Sequence, residues 1–238
     1  VARRQIVLSL LRRWLKPAAQ DNAKLTIVDI GTGCGATLAE LSRHYQAVGL
    51  DTSIEAVEYA RSRGCTVVQG TLPDDVPFGA GQFDAVLALD VIEHVVDDQA
   101  AVSAMARLLK PGGILMATVP AYQWLWTKRD EYHEHKRRYS ASEFRGVLIA
   151  ADLTIELFTH FNSLLFLPAL LERMTKKLLR LDRAEPDVTV PPAPLNVAMR
   201  WVFGLEGHLI PLVQLPVGLS LLAVARRPAC ATAVAGRH

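Results

Sequence analysis

Cysteine is scarce and scattered, with only Cys34, Cys65 and Cys230 among 238 residues. An odd count with no C-x-x-C pair excludes a disulfide scaffold and a cysteine-built zinc site, and it suits a reducing, cytoplasmic setting. Charge of one sign is also missing. The 26 Lys and Arg set against 24 Asp and Glu leave a net charge of +2. That surplus is too small to select for nucleic acid, which demands a dense basic face. Long apolar runs are absent as well. A membrane-crossing helix needs roughly 18 consecutive apolar residues, but Leu164–Leu171 contains Pro168, and Leu209–Ala225 contains Pro211, Gln214 and Pro216. Near the N-terminus, Ile6–Leu11 is shorter than the apolar core of a signal peptide and is closed by Arg12 and Arg13. There is no internal repeat. What remains is a globular composition, 50% apolar and 21% charged.

The first two thirds alternate short apolar runs with amphipathic stretches. Strands are expected at Leu25–Ile30, Ala47–Leu50, Cys65–Val68, Phe83–Leu89 and Ile114–Val119, with helices at Ala36–His44, Ile54–Arg63 and Asp97–Leu109. Pro111-Gly112-Gly113 reads as a turn, and Arg3–Leu15 as a helix that lids a ligand or packs on the sheet. Fully apolar strands alternating with helices imply an α/β, doubly wound, parallel sheet covered on both faces. Residues 120–140 read as a long loop. Ser140–Ala151 is a helix opened by a capping box, Ser140 with Glu143, and Leu153–Phe161 alternates like a half-buried strand. A final strand is expected at Val217–Ala225. The implied organisation is an N-terminal helix over 1–24, a core over 25–162, a helical insertion over 163–216, a last strand over 217–228 and a tail over 229–238.

The chemistry concentrates where Leu25–Ile30 runs into Gly31-Thr32-Gly33-Cys34-Gly35. Glycines let the backbone turn tightly and approach a ligand without a Cβ clash, and the following helix offers free N–H groups to an anion. Asp51 stands 20 residues after Gly31, at a strand end. A carboxylate there can accept both hydroxyls of a ribose, so the pair points to an adenosine-containing ligand. Gly31–Ala36 fits both the dinucleotide pattern G-x-G-x-x-G/A and the tighter G-x-G-x-G, leaving two ligand classes open.

Four blocks in register then resemble the class I S-adenosylmethionine-dependent methyltransferases, of the small-molecule, UbiG-like type. They are Val28–Gly35, Gly49-Leu50-Asp51-Thr52-Ser53, Phe83–Val86 leading to Asp90-Val91-Ile92-Glu93-His94, and Leu108-Leu109-Lys110-Pro111-Gly112-Gly113. The resemblance implies a Rossmann-like, seven-stranded, mostly parallel sheet whose last strand is antiparallel. It also implies S-adenosyl-L-methionine as cofactor and S-adenosyl-L-homocysteine as product. Gly31, Thr32, Gly33, Cys34 and Gly35 would carry the backbone past the cofactor's methionine part, with Asp29 holding that loop or reaching the ammonium. Asp51 would accept from the ribose, flanked by Thr52. Leu89, Asp90 and Val91 would lie beside the methionine portion. Gly70, Thr71 and Leu72 stand where relatives meet the adenine; Thr71 occupies the position of a common acid, and Leu72 can pack on the ring.

Residues 122–139 follow the fifth strand and form the candidate acceptor segment, because ligands of open α/β sheets sit beyond the carboxyl ends of the strands. His133 or His135 would take a proton there, with His94 a second candidate base or a structural hydrogen-bonder. Arg137 or Arg138 would bind a substrate anion, Tyr139 would complete the catalytic set, and Trp124 or Tyr122 would wall the pocket. The plainer alternative is a solvated basic loop with packing aromatics. His133-x-His135 with Asp130 has metal-ligand character, but no second cluster completes a set, so no metal is expected. The insertion, with Leu164–Leu171 apolar and Arg173, Lys176, Lys177 and Arg180 basic, suits a peripheral membrane contact, a lipid-linked acceptor or a homodimer. The expectation is a cytoplasmic enzyme, membrane-associated if that contact exists. It would methylate an O or N atom of a small-molecule or lipid-linked acceptor, without nucleic acid. The competing readings are an NAD(P)-dependent oxidoreductase and an inactive cofactor-binding partner subunit.

Overall fold

The computed structural model describes residues 2–15, 24–164 and 213–229, together with 166–168, 170, 171, 175, 206 and 210. The described chain forms α1 (Ala2–Trp14), β1 (Thr26–Ile30), α2 (Ala36–Leu41), β2 (Gln46–Asp51), α3 (Ile54–Ser62), β3 (Val67–Gln69) and β4 (Phe83–Leu89). It continues through α4 (Asp98–Leu108), β5 (Leu109–Pro120), α5 (Lys128–Tyr132), α6 (Ala141–Ala150), β6 (Thr154–Phe161) and β7 (Ser220–Arg226). The strands make one seven-stranded sheet in the order β3-β2-β1-β4-β5-β7-β6. β1 to β5 pair in parallel, and β7 runs antiparallel to both of its neighbours. This is the doubly wound arrangement expected from the apolar strands, and β7 is its one reversed strand.

The period-2 geometry of strands divides the core between two faces. Val28, Val86, Ala88, Leu115 and Ala117 point to one face and meet Met105 of α4 with Phe144 and Leu148 of α6. Ile27, Ala85, Leu87, Ile114 and Met116 point to the other and meet Ile6, Leu10 and Leu11 of α1. The N-terminal helix therefore packs on the sheet. Ser53 and Asp97 cap α3 and α4 through their side chains, and Ser140 with Glu143 closes the capping box of α6.

Two sequence expectations need correction. Pro111-Gly112-Gly113 is no separate turn but lies inside β5, where pairing jumps from Phe83↔Leu109 to Ala85↔Ile114 and the strand bulges. Residues 120–140 are not uniformly loop, because α5 forms there, opened by a capping box between Thr127 and Asp130. Asp84 is a structural pin. Its Oδ2 accepts from Thr26 N and Thr26 Oγ1, and it meets Lys110 Nζ, each at 2.8 Å, which ties β1, β4 and β5 together. Burial raises its pKa, but the bonds to Lys110 and Thr26 win and hold the carboxyl below its ordinary value.

The expected helices over 163–182 and Leu195–Ile210 lie largely outside the described residues, as do the Arg173–Arg180 basic edge and Cys230. Among the described residues, no helix is long and apolar enough to cross a membrane.

Candidate active site

The site begins where β1 ends. Gly31 has φ +68°, and a Cβ built on it would lie 2.5 Å from Val91 Cγ2, so only glycine lets this turn pack against the segment after β4. The N–H groups of Gly31 and Thr32 both donate to the Leu50 carbonyl, at 2.8 and 3.2 Å, and fasten the turn to β2. Asp29 is buried beneath it and accepts from Thr32 Oγ1 at 3.0 Å. At the end of β2, Asp51 accepts from Gly33 N at 2.7 Å through Oδ2 and from Ser53 N at 3.0 Å through Oδ1. Each carboxylate oxygen keeps a further lone pair for a ligand hydroxyl.

A cavity of about 750 Å³ opens here, at the carboxyl ends of the strands, within the usual size range of small-molecule sites. Gly31, Asp51, Thr52, Gly70, Thr71 and Leu72 line it together with Asp90, Val91 and His94. Asp29, Thr32, Gly33, Cys34, Gly35 and Leu89 are not in its lining. Leu89 packs with the sheet face that carries α1, and the exposed Cys34 has its carbonyl held by Arg63 Nη1 at 3.1 Å. A carboxylate for a diol, apolar Leu72 and Val91 for a flat base and a further carboxylate at Asp90 suit an adenosyl sulfonium.

Position 71 carries Thr and not an acid, but a nearby acid, Asp74, lines the same cavity. Thr71 and Asp75 pair their backbones at 2.7 and 2.9 Å, and the turn between them places Asp74 in the cavity wall beside Leu72. Asp90 itself sits at φ +60°, a left-handed conformation that non-glycine residues seldom adopt. Thr118 of β5 holds it twice. The Asp90 N–H donates to the Thr118 carbonyl at 3.0 Å, and Thr118 Oγ1 donates to Asp90 Oδ1 at 2.8 Å.

His94 lines the cavity, whereas His133 and His135, the expected bases, are not in its lining; the His135 ring lies against His94. Lys136 N donates to the Glu93 carbonyl at 2.7 Å, drawing the segment after α5 onto the 3-10 turn Ile92–His94. Asp130 is the hub of that segment. Its Oδ1 accepts from His135 Nδ1 at 2.9 Å and meets Arg138 Nε at 2.8 Å and Nη2 at 2.7 Å, while Oδ2 accepts from Thr127 N at 2.8 Å. Burial raises the Asp130 pKa, but Arg138, Thr127 and His135 outweigh it and keep the carboxyl below its ordinary value. The contact with Asp130 through Nδ1 fixes the orientation of the His135 ring.

The His135 and His94 rings meet edge-on with centroids 4.8 Å apart, and His133 stacks outside His135 at 5.9 Å. Burial, then the neighbouring His135, lowers the His94 pKa; Asp90 opposes this, and His133 and Lys136 add to the lowering. His94 lines the cavity with its basic form favoured over the charged one.

The other expected acceptor-site residues are spoken for by packing. Arg138 is buried on Asp130 and donates to the Ala121 carbonyl at 3.2 Å. The buried Tyr139 donates its hydroxyl to Asp98 Oδ2 at 2.8 Å, and burial together with Asp98 raises its pKa. Arg137 Nη1 also meets Asp98 Oδ2, at 2.9 Å. These three hold the loop, and none is in the cavity lining. Tyr122 packs among Trp124, His160 and Phe166. Because His160 Nδ1 lies 3.0 Å from the Leu215 carbonyl, its Nε2 accepts from the Tyr122 hydroxyl, also at 3.0 Å.

Comparison with known proteins agrees with this geometry. The family model described as "Methyltransferase domain" matches residues 2–157. A ubiquinone biosynthesis O-methyltransferase of Vibrio parahaemolyticus is 28% identical over 160 residues, covering 58% of this chain and 68% of that protein. A probable tRNA methyltransferase 9B of Bos taurus is 38% identical over 112 residues, covering 45% of this chain but only 23% of that protein. Among solved structures, an S-adenosylmethionine dependent methyltransferase from Mesorhizobium loti superposes with a TM-score of 0.61 at 17% identity, covering 93% of this chain and 98% of that one. At that identity the likeness speaks for the fold alone. With the family match spanning most of the chain and the sheet order in agreement, the protein belongs to the methyltransferase-domain family and has the class I S-adenosylmethionine-dependent fold.

Proposed function

We propose that this protein transfers a methyl group from S-adenosylmethionine to an O or N atom of a small-molecule or lipid-linked acceptor. One observation carries the reading: the Asp51 carboxylate, at the end of β2, and the His94 imidazole line the same cavity. Asp51, Asp74 and Leu72 would hold the adenosine, and Asp90 with the Gly31 turn would hold the methionine part. The bound cofactor supplies an electrophilic methyl carbon on a sulfonium, already a good leaving group. The protein's main task is then alignment, which alone is worth about 7–11 kcal/mol. His94, backed by His135 and Asp130, would remove the acceptor's proton, a contribution of about 10²–10⁴-fold.

The lipid-linked class is kept because Leu167 and Leu171 stand 72% and 70% exposed. Against the oxidoreductase reading, the sheet continues past β5 into an antiparallel pair of strands where a second nucleotide-binding half would extend it in parallel. Calorimetric titration with S-adenosylhomocysteine and with NADH tests the cofactor; binding of NADH alone overturns the assignment. Incubation with methyl-labelled S-adenosylmethionine and separate aqueous and lipid extracts tests the acceptor. Label appearing in neither fraction, with cofactor affinity intact, leaves the inactive partner subunit as the reading.

A further inference from the structure

One short stretch of the cavity lining has little packing of its own. Between the 3-10 turn Ile92–His94 and α4 the chain passes through Val95, Val96 and Asp97, which line the cavity together with His94. Val95 packs against the core, but Val96 is 75% exposed, and the Asp97 carboxylate turns back to accept from Ala100 N at 2.8 Å. The grip on this stretch comes from the acceptor segment. Arg137 Nη2 donates to the Val96 carbonyl at 2.5 Å and to the Val95 carbonyl at 3.5 Å, while its Nη1 meets Asp98 Oδ2 at 2.9 Å. One guanidinium thus spans the exit of the turn and the first residue of α4.

We propose that Arg137 is a positioning residue of the active site, clasping residues 95–98 so that the His94 ring keeps its place in the cavity lining and against His135. The rigid fork of arginine suits the task, because two nitrogens serve two carbonyls and a carboxylate at once. The single ammonium of a lysine has no such fixed geometry. The Arg137 side chain is 33% exposed, so its ion pair with Asp98 adds little stability by itself. Its effect lies in fixing backbone that no apolar contact holds.

Neighbouring contacts anchor both sides of the clasp. Lys136 N donates to the Glu93 carbonyl at 2.7 Å, and the Tyr139 hydroxyl donates to Asp98 Oδ2 at 2.8 Å. The charged and titratable groups that act on His94 are Asp90, His133, His135 and Lys136; Arg137 is not among them. Loss of Arg137 therefore reaches the His94 ring through position and hydration rather than through charge. This role presupposes His94 as the acceptor's base, and it deepens the methyltransferase reading.

The test is an NMR titration of the His94 ring in the full, ligand-free chain, with His94→Ala identifying the resonance. The parent ring should titrate below 6.5. Arg137→Ala should raise the midpoint by about half a pH unit, about threefold in proton affinity, as the ring gains water. Arg137→Lys keeps the charge without the fork and should show most of the same rise. Tyr139→Phe removes the other bond to Asp98 with the clasp intact, and should leave the midpoint in place. Amide spectra report that each variant is folded; if Arg137→Ala is not, Arg137→Lys decides alone. An unmoved midpoint overturns the proposal. So does full restoration by Arg137→Lys, which would leave a role for charge only, and so does an equal rise in Tyr139→Phe, which would mean general loosening. The methyltransferase reading fails by a different result, the absence of S-adenosylhomocysteine binding to the parent, and that result leaves the clasp measurable.

Discussion

Asp51 Oδ2 lies 2.7 Å from the amide nitrogen of Gly33, so the carboxylate that would receive the ribose also braces the glycine turn. One side chain thereby couples the shape of the loop to the presence of its acid. Asp51→Ala should weaken binding of S-adenosylhomocysteine by more than tenfold, about 1.4 kcal/mol or more. Asp51→Asn retains an acceptor oxygen and should lose less. Isothermal titration of the two variants checks the order, and equal losses would argue against the bracing role.

Gly31→Ala should destabilise the free protein by about 1–3 kcal/mol, because the new methyl meets Val91 Cγ2 in a left-handed backbone. Adding Val91→Ala removes the steric part and leaves the backbone part, so the double variant should recover only some of the loss. Urea unfolding of the single and double variants measures both.

His135→Ala should slow turnover, by less than the roughly 10²–10⁴-fold that loss of the base itself costs, with S-adenosylhomocysteine affinity unchanged. An unchanged rate removes it from proton transfer. His94 sets the pH dependence. Its pKa is lowered from 6.5 in the folded protein, so the basic form persists to pH values below that, and the rate should fall only on further acidification. The linkage has the same sign for stability. An imidazole whose pKa is depressed by folding contributes fully above pH 6.5 and loses that contribution as the pH falls through the folded value. A His94→Ala variant should show a flatter stability profile across that acidic range.

Asp130→Asn leaves the Arg138 guanidinium buried without its counter-charge, a loss of about 3–5 kcal/mol. In the parent protein the depressed Asp130 pKa means its stabilisation is complete above the ordinary carboxylate value of 3.8 and disappears as the pH falls below it. Chemical denaturation repeated between neutral and acid pH should show the parent and the variant converging toward low pH.

The parts that the sequence made legible were those fixed by local pattern. Phe83–Leu89 is apolar at every position except Asp84 and became β4 with those same ends, and Ser140 with Glu143 announced α6. The glycine turn and Asp51 were readable because backbone geometry and a strand-end carboxylate each leave a short signature. Helix α5 was missed because its capping box uses Asp130 where Glu or Gln is customary. Asp74 carries no local signal, because only the turn closed by the Thr71 and Asp75 backbones brings it into the cavity lining. The roles of Arg138 and Tyr139 depended on burial, which a basic, aromatic stretch conceals. The meeting of Glu93 and His94 with His135 rests on one long-range backbone bond, Lys136 N to the Glu93 carbonyl, and no local pattern encodes it.

β6 and β7 are adjacent and antiparallel, with Phe161 opposite Ser220, so the chain leaves the sheet and re-enters it at a single doorway. Because β6 runs in the same direction as β5, that doorway opens on the side where the cofactor cavity lies. Positions 162–219 thus leave and re-enter the sheet at two neighbouring strand ends. Doubling the length of such an excursion costs only about 0.6 kcal/mol in closure entropy. The excursion between these two strand ends can therefore change in length at little cost beside a cavity whose own lining comes from residues 30–100.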